Sequence, residues 1–257
     1  MKGVIIAAGM GSRMREFTSE MPKCLLPVGN TTLIENTISL MRDNGIEDIA
    51  VITGYLADKI QLDDVTYYPN LDYTENNILH SLMCAQPFMD DELMVAYSDI
   101  WLEDGPVKKL ASSREDVVIS VDTNWIESYE GRTEHPVSEA ENVFYDANGM
   151  VTQIGKHILP DERNVSLQCG EFIGLCKVSG DFLGKFKSIY LELDAKLSRG
   201  EPFQKSRDWY KSYLTDFLQE LVDRGYPVSC SFHENQWREI DTPQDYSRLL
   251  VLKGAEI

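Results

Sequence analysis

Residues 1–27 read MKGVIIAAGMGSRMREFTSEMPKCLLP. Val4 to Ala8 is a short, continuous apolar run that stops at Gly9, the pattern of a strand buried on both faces rather than of an amphipathic helix. Gly9 and Gly11 let the backbone approach an anion closely, and Arg13 and Lys23 are cations able to hold it. Taken alone, a glycine-rich turn is also an ordinary tight connection out of a strand. The two cations that follow turn the reading toward phosphate chemistry. In an open α/β sheet, ligands sit beyond the carboxyl ends of the strands, which is where this turn would lie. No Gly-Lys-Ser/Thr follows, so this is not a Walker loop, and the glycine spacing departs from the dinucleotide fingerprint.

Outward from this stretch, strand and helix signals alternate. Thr31 or Thr32 can cap a helix carrying Leu33, Ile34, Ile38, Leu40 and Met41, which Asn44 and Gly45 stop. Strands are predicted at Ile49 to Ile52, Val65 to Tyr68, Leu93 to Tyr97 and Val117 to Val121. Helices are predicted from about Asn76 to Cys84 and near Pro106 to Ala111. Such alternation implies a mostly parallel sheet covered by helices. The second half is richer in short β pieces, around Val143 to Tyr145, Val151 to Ile154 and Phe172 to Lys177. Tyr210, Tyr213, Leu214, Phe217, Leu218 and Leu221 fall at helical spacing ahead of Gly225. Val228 to Phe232 reads as a late strand, and Thr242 with Pro243 opens a last helix. No linker splits the chain, so 1–257 is read as a single domain with halves at about 1–121 and 122–257.

Composition narrows the partners. The chain has 257 residues and 43% hydrophobic content, and its 24 basic against 42 acidic residues give a formal charge of −18. That balance opposes nucleic acid and anionic membranes but leaves room for a local basic pocket and a small phosphorylated substrate. Five scattered cysteines without metal-ligand spacing fit a reduced, cytoplasmic protein. No run reaches roughly 18 apolar residues, so neither secretion nor membrane spanning is expected. The sequence leaves oligomeric state open, a homo-oligomer included.

AAGMGSRM (7–14) followed by MPKCLLPVGNTTLIE (21–35) closely resembles the signature of the sugar-phosphate nucleotidyltransferase superfamily. The resemblance implies a Rossmann-like, mostly parallel mixed sheet covered by helices, with a small β-rich acceptor-binding region. It implies that the loop of Ala7, Ala8, Gly9, Gly11 and Ser12 wraps a nucleoside triphosphate, that Arg13 holds phosphates and that Lys23 neutralises them. Asp99, after LMVAYS, and Asp241, in REIDTP, match the two magnesium-binding positions of the family; read as isolated residues they fit helix caps or turns equally well. Mg²⁺ suits such a pair, because it takes a few hard carboxylate oxygens together with phosphate oxygens. Lys156 in VTQIGKHI matches a lysine that binds the acceptor's phosphate, and Glu171 in CGEFIGLCKV matches a polar position near the acceptor.

DYTENNILHSL (72–82) resembles the phosphocholine and phosphonate (2-aminoethylphosphonate) cytidylyltransferase branch, which favours CTP over UTP or TTP and assigns Asn76, Asn77 and Ser81 to the nucleotide. Asn76 and Asn77 can equally cap the helix that follows. VDTNWIESYEGRTEHPVSEAENV (121–143) also resembles that branch. There Arg132 can grip a phosphate or phosphonate, and Trp125, Tyr129 and the later Trp237 can receive a cationic head or serve as packing. The expectation is a Mg²⁺-dependent transfer of CMP from CTP to a small phosphorylated or phosphonate acceptor, with Arg13, Lys23 and Lys156 as the catalytic cations. The alternatives are a sugar-1-phosphate nucleotidyltransferase and a non-catalytic nucleotide-binding homologue. His80, His135, His157 and His233 share no spacing and receive no role, and Cys24 is read as a packing residue.

Overall fold

The computed structural model describes residues 1–158 and 167–255. Strand β1 (Lys2–Ala7) leads into the glycine turn. A ribbon of β2 (Pro27–Val28) and β3 (Thr31–Thr32) then delivers the chain to helix α1 (Leu33–Asp43), followed by β4 (Ile49–Thr53) and β5 (Thr66–Pro69). Next come α2 (Ile78–Met83), β6 (Leu93–Tyr97), β7 (Ile100–Leu102), α3 (Asp104–Ser112) and β8 (Val117–Asp122). The later half runs α4 (Trp125–Ser128), β9 (Glu141–Tyr145), β10 (Val151–Lys156), β11 (Gln168–Val178), α5 (Gly180–Lys196), α6 (Leu214–Asp223), β12 (Ser229–His233), β13 (Trp237–Glu239) and α7 (Pro243–Lys253).

One nine-stranded mixed sheet carries the molecule, in the order β10-β9-β11-β6-β1-β4-β5, with β8 on the other edge of β11 and β12 beyond it. The strands β6, β1, β4 and β5 are parallel neighbours; the apolar runs of β6, β1 and β4 are buried on both faces as central parallel strands require, while β5 forms a largely exposed edge. Strand β11 is the joint between this parallel part and the antiparallel one. Its start pairs with β9, its end pairs with β6, and β8 accompanies it along the far edge. The register shifts between Phe172 and Cys176, where Gly174 takes φ +76. A Cβ at Gly174 would lie 2.4 Å from the Tyr97 ring, so only glycine lets that ring close against the bulge.

Local signals explain most helix ends. Thr32 and Glu35 form a capping box on α1, and Thr242 with Asp245 forms one on α7, so Thr242 rather than Asp241 is the cap there. The α2 helix begins at Ile78, two residues later than the pattern predicts. Asn77 occupies the cap position without a capping bond, because its amide donates to the Lys211 carbonyl instead. Tyr210 and Tyr213 precede α6 rather than belonging to it, while Leu214, Phe217, Leu218 and Leu221 are fully buried, each stabilising by roughly 1.5–3 kcal/mol. The 17-residue α5 and the small β7–β13 sheet are absent from the sequence reading. The stripe of α5, Phe182, Leu183, Phe186, Ile189, Tyr190 and Leu193, has clear helical spacing, and Ser179 caps it. No helix among the described residues is long and apolar enough to cross a membrane.

Candidate active site

At the carboxyl end of β1 the chain turns through Ala8, Gly9 and Gly11 into a short 3₁₀ segment, Ser12–Thr18. Gly11 has φ +58, and a Cβ there would sit 3.0 Å from Lys23 Cβ, so the glycine both makes the turn and admits the lysine. The turn walls a cleft of about 290 Å³, as topology predicts for this sheet. Ala7, Ala8, Gly9, Gly11, Ser12, Arg13 and Lys23 line one side, Asn76, Asn77 and Ser81 line another, and Asp99 and Asp241 close it. All the residues assigned to the nucleotide and the metal therefore meet in one place.

Asn70, which the sequence reading passes over, organises one wall. It is 2% exposed, and its amide donates to Asn76 Oδ1 and Ser81 Oγ, both at 2.8 Å, while Asn76 returns a bond of 3.1 Å. A lone asparagine after a strand looks like any turn residue, and only the folded chain shows it tying two cleft residues together.

Lys23 Nζ lies 2.8 Å from Asp99 Oδ2 and 2.6 Å from Asp241 Oδ1, and Arg13 donates to Asp241 Oδ2 at 2.5 Å. Burial works to lower the Lys23 pKa, but the two carboxylates outweigh it and hold the ammonium well above its ordinary value. Burial works to raise Asp241, and Lys23, His135 and Arg13 outweigh it, so the carboxyl stays ionised far below the usual range. Because two carboxylates already converge on one cation, the pair supplies hard oxygen donors at a common point, which fits Mg²⁺. Asp245 holds this corner: its Oδ2 accepts the backbone N–H groups of Asp241 and Thr242, and its Oδ1 takes Arg132 Nε at 2.7 Å.

A second cavity, about 180 Å³, opens beside the first, and Arg13, Asn77, Asp99 and Asp241 line both. Lys156, Glu171 and Trp237, the residues expected near an acceptor, line it together with Glu139, Glu141, Glu239, Tyr97, Phe172 and Tyr213. Lys156 Nζ lies 5.1 Å from the centre of the Tyr213 ring, over its face. Burial would lower the Lys156 pKa, but Glu141 and Glu239 hold it raised. Burial lifts Glu141 and Glu239 each to about 7, against the pull of Lys156 on Glu141 and of His135 and Arg132 on Glu239. Glu171 is also raised by burial; its Oε1 accepts the Tyr129 hydroxyl, and its Oε2 has no hydrogen-bond partner among the described residues.

Three expected acceptor residues stand elsewhere. Trp125 and Tyr129 pack edge-to-face with Ala140 in a small apolar cluster, and neither ring lines the second cavity. Arg132 is buried and spends its guanidinium on Asp245 and on Glu239 at 3.4 Å, stacked over the Tyr129 ring. A buried cation without a carboxylate partner is strongly unfavourable, which is why Arg132 turns to these acids and away from the cavity. His135, given no role from sequence, does enter the site. It is 1% exposed, with Nδ1 3.3 Å from Asp241 and Nε2 3.3 Å from Glu239. Nothing in the spacing of EGRTEHP connects it to residues a hundred positions away.

Residues 3–159 match the model of the MobA-like NTP transferase domain. The chain is 29% identical over 256 residues to the CTP:phosphoglutamine cytidylyltransferase of Campylobacter jejuni, covering 95% of this chain and 97% of that one. It is 29% identical over 117 residues to the 2-aminoethylphosphonate cytidylyltransferase of Lancefieldella rimae, covering 43% and 48%. The structure of CTP:phosphocholine cytidylyltransferase from Streptococcus pneumoniae superposes with a TM-score of 0.72 at 21% identity, covering 98% of each chain. With the glycine turn, its two cations and the paired aspartates meeting at the end of the parallel strands, the chain belongs to the MobA-like NTP transferase domain family.

Proposed function

We propose that the protein transfers CMP from CTP to a small phosphorylated alcohol or phosphonate and releases pyrophosphate. The observation that carries this reading is the pair of adjoining cavities, each with its own cations, that share Arg13, Asp99 and Asp241 at their junction. A donor triphosphate in the first and an acceptor anion beside Lys156 in the second would meet there. The acceptor oxygen is anionic near neutral pH and attacks the α-phosphorus in line, so no strong general base is needed. Positioning and charge neutralisation are what the chain supplies. Mg²⁺, held by Asp99 and Asp241, would add positive charge at the triphosphate oxygens. Arg13 and Lys23, paired with Asp241 in the free protein, turn to the triphosphate, while Lys156 holds the acceptor anion.

Choice of base rests on the wall of Asn76, Asn77 and Ser81, held by Asn70, and on relatives named for CTP. The carboxylates of the second cavity oppose a purely anionic acceptor and support one whose other end carries an ammonium or amide, of the phosphocholine or 2-aminoethylphosphonate type. Pyrophosphate release, measured with CTP, UTP and dTTP against phosphocholine, 2-aminoethylphosphonate, phosphorylated glutamine, inositol 1-phosphate and glucose 1-phosphate, tests both choices. Turnover with CTP and an amine- or amide-bearing acceptor is expected. Turnover confined to UTP or dTTP with glucose 1-phosphate would replace this reading with the sugar-nucleotide one, and nucleotide binding without turnover on any acceptor would favour a regulatory homologue.

A further inference from the structure

Strand β13 sends Trp237 and Glu239 into two cavities. One is the acceptor cavity. The other, about 180 Å³, is bounded by α7 and the end of α4 and contains Arg132, Arg238 and Arg248 facing Glu239 and Asp245. Three guanidinium groups therefore meet two carboxylates, and Arg132 occupies both of these at 2.7 and 3.4 Å. Among the described residues Arg238 donates only to the backbone carbonyls of Asn235 and Trp237, and its charge also acts on the buried Asp122. Arg248 makes no hydrogen bond or ion pair among the described residues and is exposed. In a chain of net charge −18, acidic partners are plentiful, so two guanidinium groups without a direct carboxylate contact among the described residues, beside a cavity, are informative. Their planar forks match the oxygens of a phosphate or phosphonate, as they do those of a carboxylate. At about 180 Å³ the cavity is smaller than the roughly 290 Å³ cleft assigned to the nucleotide, which suits a smaller anion.

We propose that this cavity binds a small phosphate- or phosphonate-bearing anion through Arg238 and Arg248, and that its occupancy is felt at Asp241 through Arg132 and Asp245. The path is short. An anion drawn between Arg238 and Arg248 also attracts Arg132, whose Nε holds Asp245 Oδ1; the other oxygen of Asp245 accepts the Asp241 N–H. Any change in the Arg132 contact therefore reaches the loop that presents Asp241 to the cleft.

The test compares wild type with R238Q/R248Q, whose replaced side chains hold no ion pair, with circular dichroism to verify the fold. Calorimetric titration with inorganic phosphate reads the site directly. Wild type should show a component that weakens at least tenfold in the double variant, while phosphate bound at Arg13, Lys23 or Lys156 stays common to both. Identical isotherms, or an absence of phosphate binding in wild type, would overturn the site. The second arm rests on the proposed transfer activity: initial rates of pyrophosphate release at saturating CTP and acceptor should respond to phosphate in wild type and lose that response in R238Q/R248Q. An equal response in both proteins would overturn the coupling. Failure of the transfer reading itself would appear as no turnover in either protein and leaves the calorimetric arm intact.

Discussion

The two cavities differ in how their charges are arranged. In the cleft at the end of β1, each cation has a carboxylate within a direct bond, and both partners stay charged: Lys23 is held protonated and Asp241 ionised. In the acceptor cavity, Lys156 faces several buried acids, and burial rather than pairing governs Glu141, Glu171 and Glu239. The first is a charge-balanced grip that, on the proposed function, would exchange its internal partners for a triphosphate. The second holds surplus acid that a cationic or donor-rich ligand would relieve. A paired site is stable before its ligand arrives, whereas an unbalanced one gains from the ligand.

Removing Lys23 should break this contrast most severely. Lys23→Ala leaves Asp99 and Asp241 facing each other without their shared cation. Pyrophosphate release is expected to fall about 10³-fold, and stability by about 3–5 kcal/mol, since breaking a buried pair strands its partner. Steady-state assay and denaturant unfolding measure the two; normal turnover would remove Lys23 from the chemistry.

Lys156→Ala should act on the acceptor side alone. An acceptor KM raised about 10²-fold with CTP affinity unchanged is expected, consistent with loss of one charge-assisted contact worth up to about 3 kcal/mol. Titration with CTP separates the two sites, and a matching loss of CTP affinity would show that the cavities do not divide the substrates.

Glu141 sharpens the comparison through pH. Its folded pKa, about 7, lies above the ordinary 4.5. Its contribution to stability is thus fully present below the ordinary value and is lost as pH rises through about 7. Glu141→Gln should flatten the fall in stability between about pH 4.5 and pH 7, the window between the two pKa values. Thermal unfolding across that range checks it, and an unchanged slope would mean that Glu141 titrates as a free carboxylate.

The smallest effect belongs to Trp125→Phe. The ring packs with Tyr129 and Ala140 away from the acceptor cavity, so the acceptor KM should not move, and stability should drop by about 1 kcal/mol. A clear rise in acceptor KM would return Trp125 to the site.

Much of the site is legible in the chain because its phosphate-facing part is local. The run from Ala7 to Lys23 contains a strand end, the glycines and both cations, and the parallel strands announce themselves as uninterrupted apolar runs. The second cavity is assembled from Lys156, Glu171, Tyr213 and Trp237, which lie far apart along the chain, with His135 behind Glu239, and single residues of these types carry no pattern of their own. The misplacement of Arg132 has the same origin. Its residue type says that it will grip an anion, and the fold supplies Asp245, more than a hundred positions away, as that anion. The α5 helix has clear apolar spacing of its own, set between short β signals on either side.

The sequence by itself determined the parallel strands and the glycine turn with its two cations, because backbone conformation and hydrophobic periodicity are set by neighbours along the chain, whereas Asp99 and Asp241 stood out only through the family resemblance. Only the tertiary structure decided which charges pair. It placed Asn70 behind the cleft, His135 between Asp241 and Glu239, and Arg132 on Asp245. The reason is that a charge taken out of water must find its partner in space, wherever along the chain that partner lies.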